Sequence, residues 1–420
     1  MKSKSDSKPL KICLLTYRGN PTCGGQGVYI KHLSKALSDL GHQVDVISGP
    51  PYPHLDAKVR LHKLPSLDLY NDERPFRVKK VSALVNPLNM YEFLNMCLGR
   101  FPEPFTFGVR AYNYLQKHQM NFDIVHDNQC LSYGIGKIAQ SIVPTIATIH
   151  HPITVDRTEE FKAATTNRKK RKVKRWYSFI DMQKEVARQL SHIVTVSECS
   201  KADIAEEFSI NLSKFRVVPN GVNKEIFYPL HNASRPENSI IVTNSADTPL
   251  KGLRYLLEAV AQVRKKQPVK LTVIGEPKKD GIIKGLVADL GIGDIVQFTG
   301  RIDNEEFAGY YSRATIAVVP SLYEGFGMPA SEAMACGVPV ISTSGGALPE
   351  VVGDTGIIVP PADSGALTRE IIFLLNNPDL RKNMAQAGIK RVDSIFNWPK
   401  AAGDMVDVYR EAIHDYRRPQ

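Results

Sequence analysis

The chain has 420 residues, 43% hydrophobic and 23% charged, a length and balance that suit two globular domains and exclude a disordered chain. It holds no run of about eighteen apolar residues, which argues against a membrane-spanning helix, and its six scattered cysteines form no C-x-x-C pair, which favours reduced thiols in a cytoplasm over disulfides or zinc. The net charge of +11 favours anionic partners: nucleotide phosphates, an acidic lipid surface or nucleic acid.

The opening segment, residues 1–8, is polar and lacks the apolar core of a secretory signal. A first strand is expected over 11–16. It leads into Gly24-Gly25-Gln26-Gly27 and a helical pattern of Val28, Ile30, Leu33, Leu37 and Leu40 that stops at Gly41 as a C-cap. A second strand over 44–48 completes a right-handed βαβ unit of the doubly wound type. The loop is not G-x-G-x-x-G, and no acidic residue ends the second strand, so an NAD-dependent dehydrogenase is disfavoured.

Between 52 and 120 the pattern is irregular. Leu84, Leu88, Phe93, Leu94, Met96, Leu98, Phe101, Phe105 and Phe107 are interrupted by Pro87, Pro102 and Pro104, which predicts short helices. Core packing is the expectation for these side chains; an exposed face for a lipid or sugar is the other reading. Strands over 122–126 and 143–149 follow, the second ending in His150-His151-Pro152. Open α/β sheets bind ligands outside the carboxyl ends of their strands, which directs these histidines to a ligand crevice. The run Arg168-Lys169-Lys170-Arg171-Lys172-Val173-Lys174-Arg175, followed by Trp176-Tyr177, reads as a solvated helix face or as a surface for an anionic bilayer. No fold signature for nucleic-acid binding accompanies it. A strand over 192–197 and a passage over 215–222 with the turn Pro219-Asn220-Gly221 close this half.

The second half repeats the alternation, with strands expected over 239–243, 270–274, 294–298, 315–319 and 338–342 and helices between them, one over 253–260. The apolar run 315–319 leads into Gly325 and Gly327, which allow a loop without side-chain bulk, and then Pro329, suited to a first helical position. Strand, glycine loop and helix N-terminus together make an anion site, because the first helical N–H groups have no internal partner. Glu324 and Glu332 flank it. A carboxylate repels phosphate but accepts hydrogen bonds from hydroxyls, so the pairing suggests a nucleotide-sugar. The other reading is that Glu332 complements the helix dipole and the glycines turn the chain.

Glu324-Gly325-Phe326-Gly327-x-Pro329-x-x-Glu332-Ala333-x-Ala335-x-Gly337-x-Pro339-Val340 resembles the signature of the retaining glycosyltransferases of the GT-B fold, family 4, also called group 1. The resemblance implies an α/β protein of two doubly wound Rossmann-like domains facing across a cleft. The acceptor-side domain would span 1–221 and the nucleotide-sugar domain 222–397, with a C-terminal helix over 398–420 crossing back to the first. It implies that Glu332 binds ribose hydroxyls and Glu324 sugar hydroxyls, while Lys251 and the amides of Gly325, Phe326, Gly327 and Met328 stabilise the departing diphosphate. Gly24 and Gly25 would lie near the donor diphosphate and the acceptor. Thr148-Ile149-His150 matches a strand end whose histidine contacts the transferred sugar, with His151 the alternative if the register slips by one. Glu276 and Arg301, after two further strands, would face the base.

Two features qualify the resemblance. The family's usual arginine on the loop before Lys251 is here Ser245, one cation fewer for the diphosphate. The run 344–350, also family-like, reads as structural. No D-x-D motif occurs, so no metal or other cofactor is expected. The implied activity is retaining transfer from a nucleoside-diphosphate sugar to an acceptor hydroxyl, with a lipid or polysaccharide intermediate slightly favoured by the basic run. The implied location is cytoplasmic or peripheral on the inner membrane face. The rivals are a non-catalytic nucleotide-sugar-binding or membrane-associated protein, favoured by Ser245 and the basic run, and a nucleotide-sugar epimerase, disfavoured by the paired glutamates.

Overall fold

Short β-branched runs alternating with amphipathic helices build two wholly parallel sheets, each in its own unit. The computed structural model describes residues 8–20, 25–71, 75–78, 80–230, 238–244, 248–278 and 281–417. The first unit contains β1 (Lys11–Thr16), β2 (Gln43–Ser48), β3 (Arg60–Lys63), β4 (Ile124–Asn128), β5 (Thr145–Thr148), β6 (Ile193–Thr195) and β7 (Phe215–Val217) in the order β3-β2-β1-β4-β5-β6-β7. The second contains β8 (Ser239–Thr243), β9 (Lys270–Ile274), β10 (Val296–Phe298), β11 (Ile316–Val319), β12 (Val340–Thr343) and β13 (Ile357–Val359) in the order β10-β9-β8-β11-β12-β13. Chain direction across the sheet reverses between β1 and β4 and again between β8 and β11, and such switch points open a crevice at the strands' carboxyl ends.

Side-chain alternation along β1 feeds both faces of its sheet. Ile12 and Leu14 pack with Ile30, Leu33 and Leu37 of helix Gly25–Asp39 and with Met405 and Tyr409 of helix Trp398–Arg417. Cys13 and Leu15 pack with Phe107, Ala111 and Leu115 of helix Glu103–His118. Each such aliphatic side chain contributes roughly 1.5–3 kcal/mol by burial. The helix Trp398–Arg417 groups with the first unit, whereas Ser197–Ser200 group with the second. In the second unit Val242, Val273, Ile316 and Val318 pack against Leu256, Leu257 and Val260 of helix Leu253–Arg264 and against Ile371 and Leu374.

Several expectations are corrected. β4 and β5 begin two residues later than expected, and β12 runs over Val340–Thr343. β3 was not expected: Arg-Leu-His-Lys lacks an apolar run, and its place in the sheet is fixed by pairing with β2 and by His62 Nε2 at 2.6 Å from Asp45 Oδ2. β13, three residues long, was also missed. Over 81–118 a helix of sixteen residues, Glu103–His118, stands where short helices were expected. Of the nine apolar residues expected in the core there, Phe107 is buried, six are half-buried, and Leu94 and Leu98 are exposed. Prolines at 102 and 104 start that helix rather than break it, which is where proline is tolerated.

Candidate active site

In the second unit the loops after β8 and β11 meet at the switch point. Gly252 follows the single turn Pro249–Lys251 with φ +65°, and a Cβ there would sit 1.9 Å from Pro320 O, so only glycine lets the two loops touch. Leu322 N donates to Leu250 O at 2.7 Å and Asn244 Nδ2 to Lys251 O at 2.9 Å. This backbone contact delivers Lys251 Nζ to Glu324 Oε1 at 2.7 Å, and Ser321 Oγ donates to the same oxygen at 2.8 Å. A lysine held this way is a fixed cation that an arriving phosphate can share with the carboxylate. From the other side Ala347 N donates to Glu324 O at 2.9 Å, and a Cβ on Gly346 would lie 2.2 Å from that same oxygen. The run 344–350 therefore supports the site from behind, and Glu350 caps the amides of Glu198 and Cys199 at 2.8 and 2.6 Å.

The glycine loop itself is held by its carbonyls. Ser197 Oγ and Ser200 Oγ donate to Gly325 O at 2.7 and 2.9 Å, and the trans peptide turns the Phe326 N–H the opposite way. Gly327, at φ +99°, caps helix Met328–Ala335, with Pro329 in its first turn. Glu332 lies on that helix, half-buried, and burial raises its carboxyl to about 7. Among the described residues no hydrogen bond reaches its carboxylate. The buried phenol of Tyr311, which bonds Thr243 Oγ1 at 2.8 Å, stands close enough to feel its charge. A carboxylate in this state gains from any hydroxyl donor that arrives.

The expected residues are not all brought together. Lys251, Glu324, Gly325, Gly327, Met328 and Glu332 share one loop-and-helix assembly. Phe326 contributes its backbone alone, because its ring is buried against Phe396 at 5.5 Å, edge to face. The expectation concerned its backbone amide alone, and its apolar ring packs away from solvent. Glu276 and Arg301 are exposed and follow β9 and β10, whose ends are joined by Gly300 N donating to Gly275 O at 3.2 Å. Gly24 and Ser245 lie outside the described residues. Gly25 opens helix Gly25–Asp39 with open space around it, whereas a Cβ on Gly27 would lie 2.0 Å from Asn20 O, so Gly27 is the glycine this turn requires.

In the first unit His150 follows β5 and is half-buried. Its Nε2 lies 2.8 Å from Asn128 Oδ1, its backbone N donates to Gln129 Oε1 at 2.9 Å, and the Tyr29 ring stands edge-on at 4.7 Å. Asn128 Nδ2 donates to Gln26 O at 3.2 Å, which fixes the amide's orientation and leaves its oxygen facing the imidazole. The proton therefore sits on Nε2. Burial, helped by His151, lowers the imidazole to about 3, so it is neutral. Beneath it His126 bridges Tyr409 OH and Thr148 Oγ1 at 2.8 and 2.7 Å, and Tyr29 OH meets the same threonine at 3.1 Å. His151 instead pairs with Asp156 at 2.7 Å. Asn128 was missed because its partner lies 22 residues away, past the end of another strand.

One group among the described residues has metal-like spacing: His192, Glu411 and Asp415. Arg216 already occupies it, with Nε donating to Glu411 Oε2 at 3.0 Å. It reads as a structural ion cluster.

Two family models match the chain: "Glycosyltransferase Family 4" over residues 23–226 and "Glycosyl transferases group 1" over 229–391. An MMP α-(1→4)-mannosyltransferase from Mycolicibacterium hassiacum is 45% identical over 96% of this chain and 98% of its own. The structure of a sucrose-phosphate synthase from Thermosynechococcus elongatus superposes with a TM-score of 0.74 at 26% identity, over 96% of this chain and 99% of that one. Anabaena HepE, solved in complex with UDP, shares the fold at a TM-score of 0.68 and 16% identity, over 96% of this chain and 100% of that one.

Proposed function

The chain belongs to the family 4, group 1 glycosyltransferases of the GT-B fold, and from that premise we propose that it transfers a mannosyl group from a nucleoside-diphosphate sugar to an acceptor hydroxyl with retention. The observation that carries this reading is Glu332, a carboxylate raised to about 7 and without a hydrogen bond from any described residue, on a helix that opens behind a glycine loop. Ribose hydroxyls supply the missing donors. Lys251, released in part from Glu324, and the amides of 325–328 meet the diphosphate.

In the step, the bond from the anomeric carbon to the diphosphate oxygen breaks, and its electron pair leaves with the phosphate. The acceptor oxygen bonds the same carbon on the same face, and its proton passes to the leaving phosphate oxygen. The departing charge is where the fixed cation and amides act most strongly. Glu324 accepts from a sugar hydroxyl, and the neutral His150 orients a hydroxyl of sugar or acceptor. The mannosyl assignment follows the 45% identical relative, whose name gives an α-(1→4) linkage. The acceptor would be a lipid or polysaccharide intermediate, and MMP, named for that relative, is the first to try.

The test is thermal unfolding with GDP-, UDP- and ADP-sugars, beside Glu332→Ala. A ligand at about a hundred times its Kd adds roughly 2.7 kcal/mol, a visible rise in melting temperature. A rise with one nucleotide class that disappears in the variant supports the donor site; none with any nucleotide removes it. The transfer should also proceed in EDTA at an undiminished rate; a loss restored by Mn²⁺ would overturn metal independence.

A further inference from the structure

The segment between β3 and β4 reverses the usual arrangement of a surface helix. Helix Pro87–Cys97 turns Glu92 and Asn95 inward and leaves Met90, Tyr91 and Leu94 in solvent, with Leu98 just past its end. Helical spacing places these four on one face. The inward face is anchored by polar contacts. Glu92 accepts from Thr106 Oγ1, from the Arg110 guanidinium and from Leu67 N at 3.2 Å, while Arg110 Nη2 donates to Asn89 Oδ1 at 2.7 Å. A helix seated by a buried ion pair is held in one orientation, so its apolar face looks outward by construction. Phe76, Val81 and Val85, shortly before this helix in the chain, are exposed as well. Seven of the sixteen exposed large apolar side chains among the described residues fall within 76–98, a density that marks a contact surface.

This patch runs into the basic helix. Phe101, three residues after Leu98, stacks on Trp176 with ring centres 5.2 Å apart. Tyr70 donates its hydroxyl to Arg100 O at 2.7 Å and meets both Phe76 and Trp176 edge-on. Trp176 ends helix Asn167–Trp176, in which seven of ten residues are basic, none is acidic and none is buried. None of the seven forms an ion pair with a described residue. Arg168 and Lys169 stand in the first turn, where the helix dipole disfavours positive charge, and an external anion removes that penalty. Beside the helix a cavity of about 500 Å³ sets Lys169 and Lys172 next to Ala163, Val173 and Trp176, with Glu160 at its edge held by Tyr177 OH at 2.9 Å.

We propose that this face docks on an anionic phospholipid bilayer. The apolar face of Pro87–Cys97 seats at the acyl boundary and Asn167–Trp176 lies on the headgroup phosphates, with Trp176 between them at the interface. Apolar surface beside positive charge that forms no ion pair among the described residues is the complement of such a membrane. A second copy fits less well, because an isologous contact would bring both sets of seven cations together. The docking needs nothing of the glycosyl transfer and is tested without it.

The full chain is sedimented with vesicles of phosphatidylcholine alone and of phosphatidylcholine mixed with phosphatidylglycerol, at low and high salt. Two variants accompany it, Leu94→Ser with Leu98→Ser, and Lys169→Glu with Lys172→Glu. The expected result is binding to the anionic vesicles alone, released by salt. Each basic residue at such a surface contributes roughly fivefold, so the charge-reversed pair should lose at least about 25-fold. The serine pair should weaken binding about tenfold or more. All four positions face solvent, so thermal unfolding should stay near that of the parent, and either variant decides if the other fails to fold. Equal binding to both vesicle types, no binding, or variants that bind like the parent would overturn the proposal. So would a serine pair that changes the sedimentation coefficient of the free protein while vesicles bind neither form, which would assign the face to a second copy.

Discussion

The loops after β8 and β11 and the strand ends of β4 and β5 solve opposite problems. In the second unit charge is kept available: Lys251 and Glu324 pair at 2.7 Å on a base of glycine and backbone contacts, and Glu332 waits without a described partner. In the first unit charge is removed. His150 and His126 are both held neutral by burial, at about 3, and the proton on His150 is directed by one amide. A site with a fixed, available charge suits a leaving diphosphate; one with a fixed neutral tautomer suits hydroxyls, whose hydrogen bonds have direction but little charge. If this division holds, changes in the second unit should act on the chemical step and donor binding, and changes in the first on orientation and pH response.

Lys251→Ala should produce the largest effect. Removing one preorganised donor to a developing charge costs roughly 10²–10³ in kcat, and with Ser245 in place of arginine on the same loop fewer cations remain to cover the loss. Steady-state kinetics with saturating donor would measure it. A fall in donor affinity with kcat unchanged would make Lys251 a binding residue and blur the contrast between the two regions.

Glu332→Gln comes next, and it separates stability from function. The carboxyl is raised from 4.5 to about 7 in the folded chain, so the native state binds more protons than the unfolded one between those values. Stability contributed by this group is therefore present below about 4.5 and lost as pH rises through 7. A tenfold change in proton affinity on folding is worth about 1.4 kcal/mol, so the neutral glutamine should stabilise the ligand-free protein above pH 7 by up to about 3 kcal/mol. It should do nothing near pH 4, and it should lose the stabilisation by nucleotide. Melting curves at the two pH values check both halves; a variant less stable at pH 8 would show that the carboxylate has a partner it needs.

The loop site was legible because its information is local. Gly325, Gly327, Pro329 and the two glutamates lie within nine residues, and backbone freedom, helix start and carboxylate spacing are all read along the chain. What escaped depends on residues far apart. Asn128 meets His150 across two strands, and Ser197 and Ser200 hold Gly325 from 128 and 125 positions away. Phe326 sits inside the same motif but turns to Phe396, a contact no spacing rule contains. The helix Pro87–Cys97 misled for a deeper reason. Apolar residues in a helical pattern normally face a core, and the buried Glu92–Arg110 pair that inverts this one joins two helices.

The smallest predicted effect is the most specific. Asn128→Asp replaces the amide oxygen facing His150 with a carboxylate, which favours the imidazolium and raises the imidazole from about 3. In the parent this histidine binds fewer protons folded than unfolded between about 3 and 6.5, so its contribution to stability grows with pH across that window. The aspartate should flatten that slope, and it should bring into kcat/KM an acidic limb the parent does not show above pH 5, with about a tenfold loss at its foot. Asn128→Ala would disturb packing and the bond to Gln26 O without adding charge, so a purely structural role predicts a uniform loss in both variants and no new limb. A limb in the aspartate variant alone identifies Asn128 as the group that keeps His150 neutral and pointing one way. Its absence in both would return His150 to the status of a buried strand-end residue and leave the second unit as the sole seat of the chemistry.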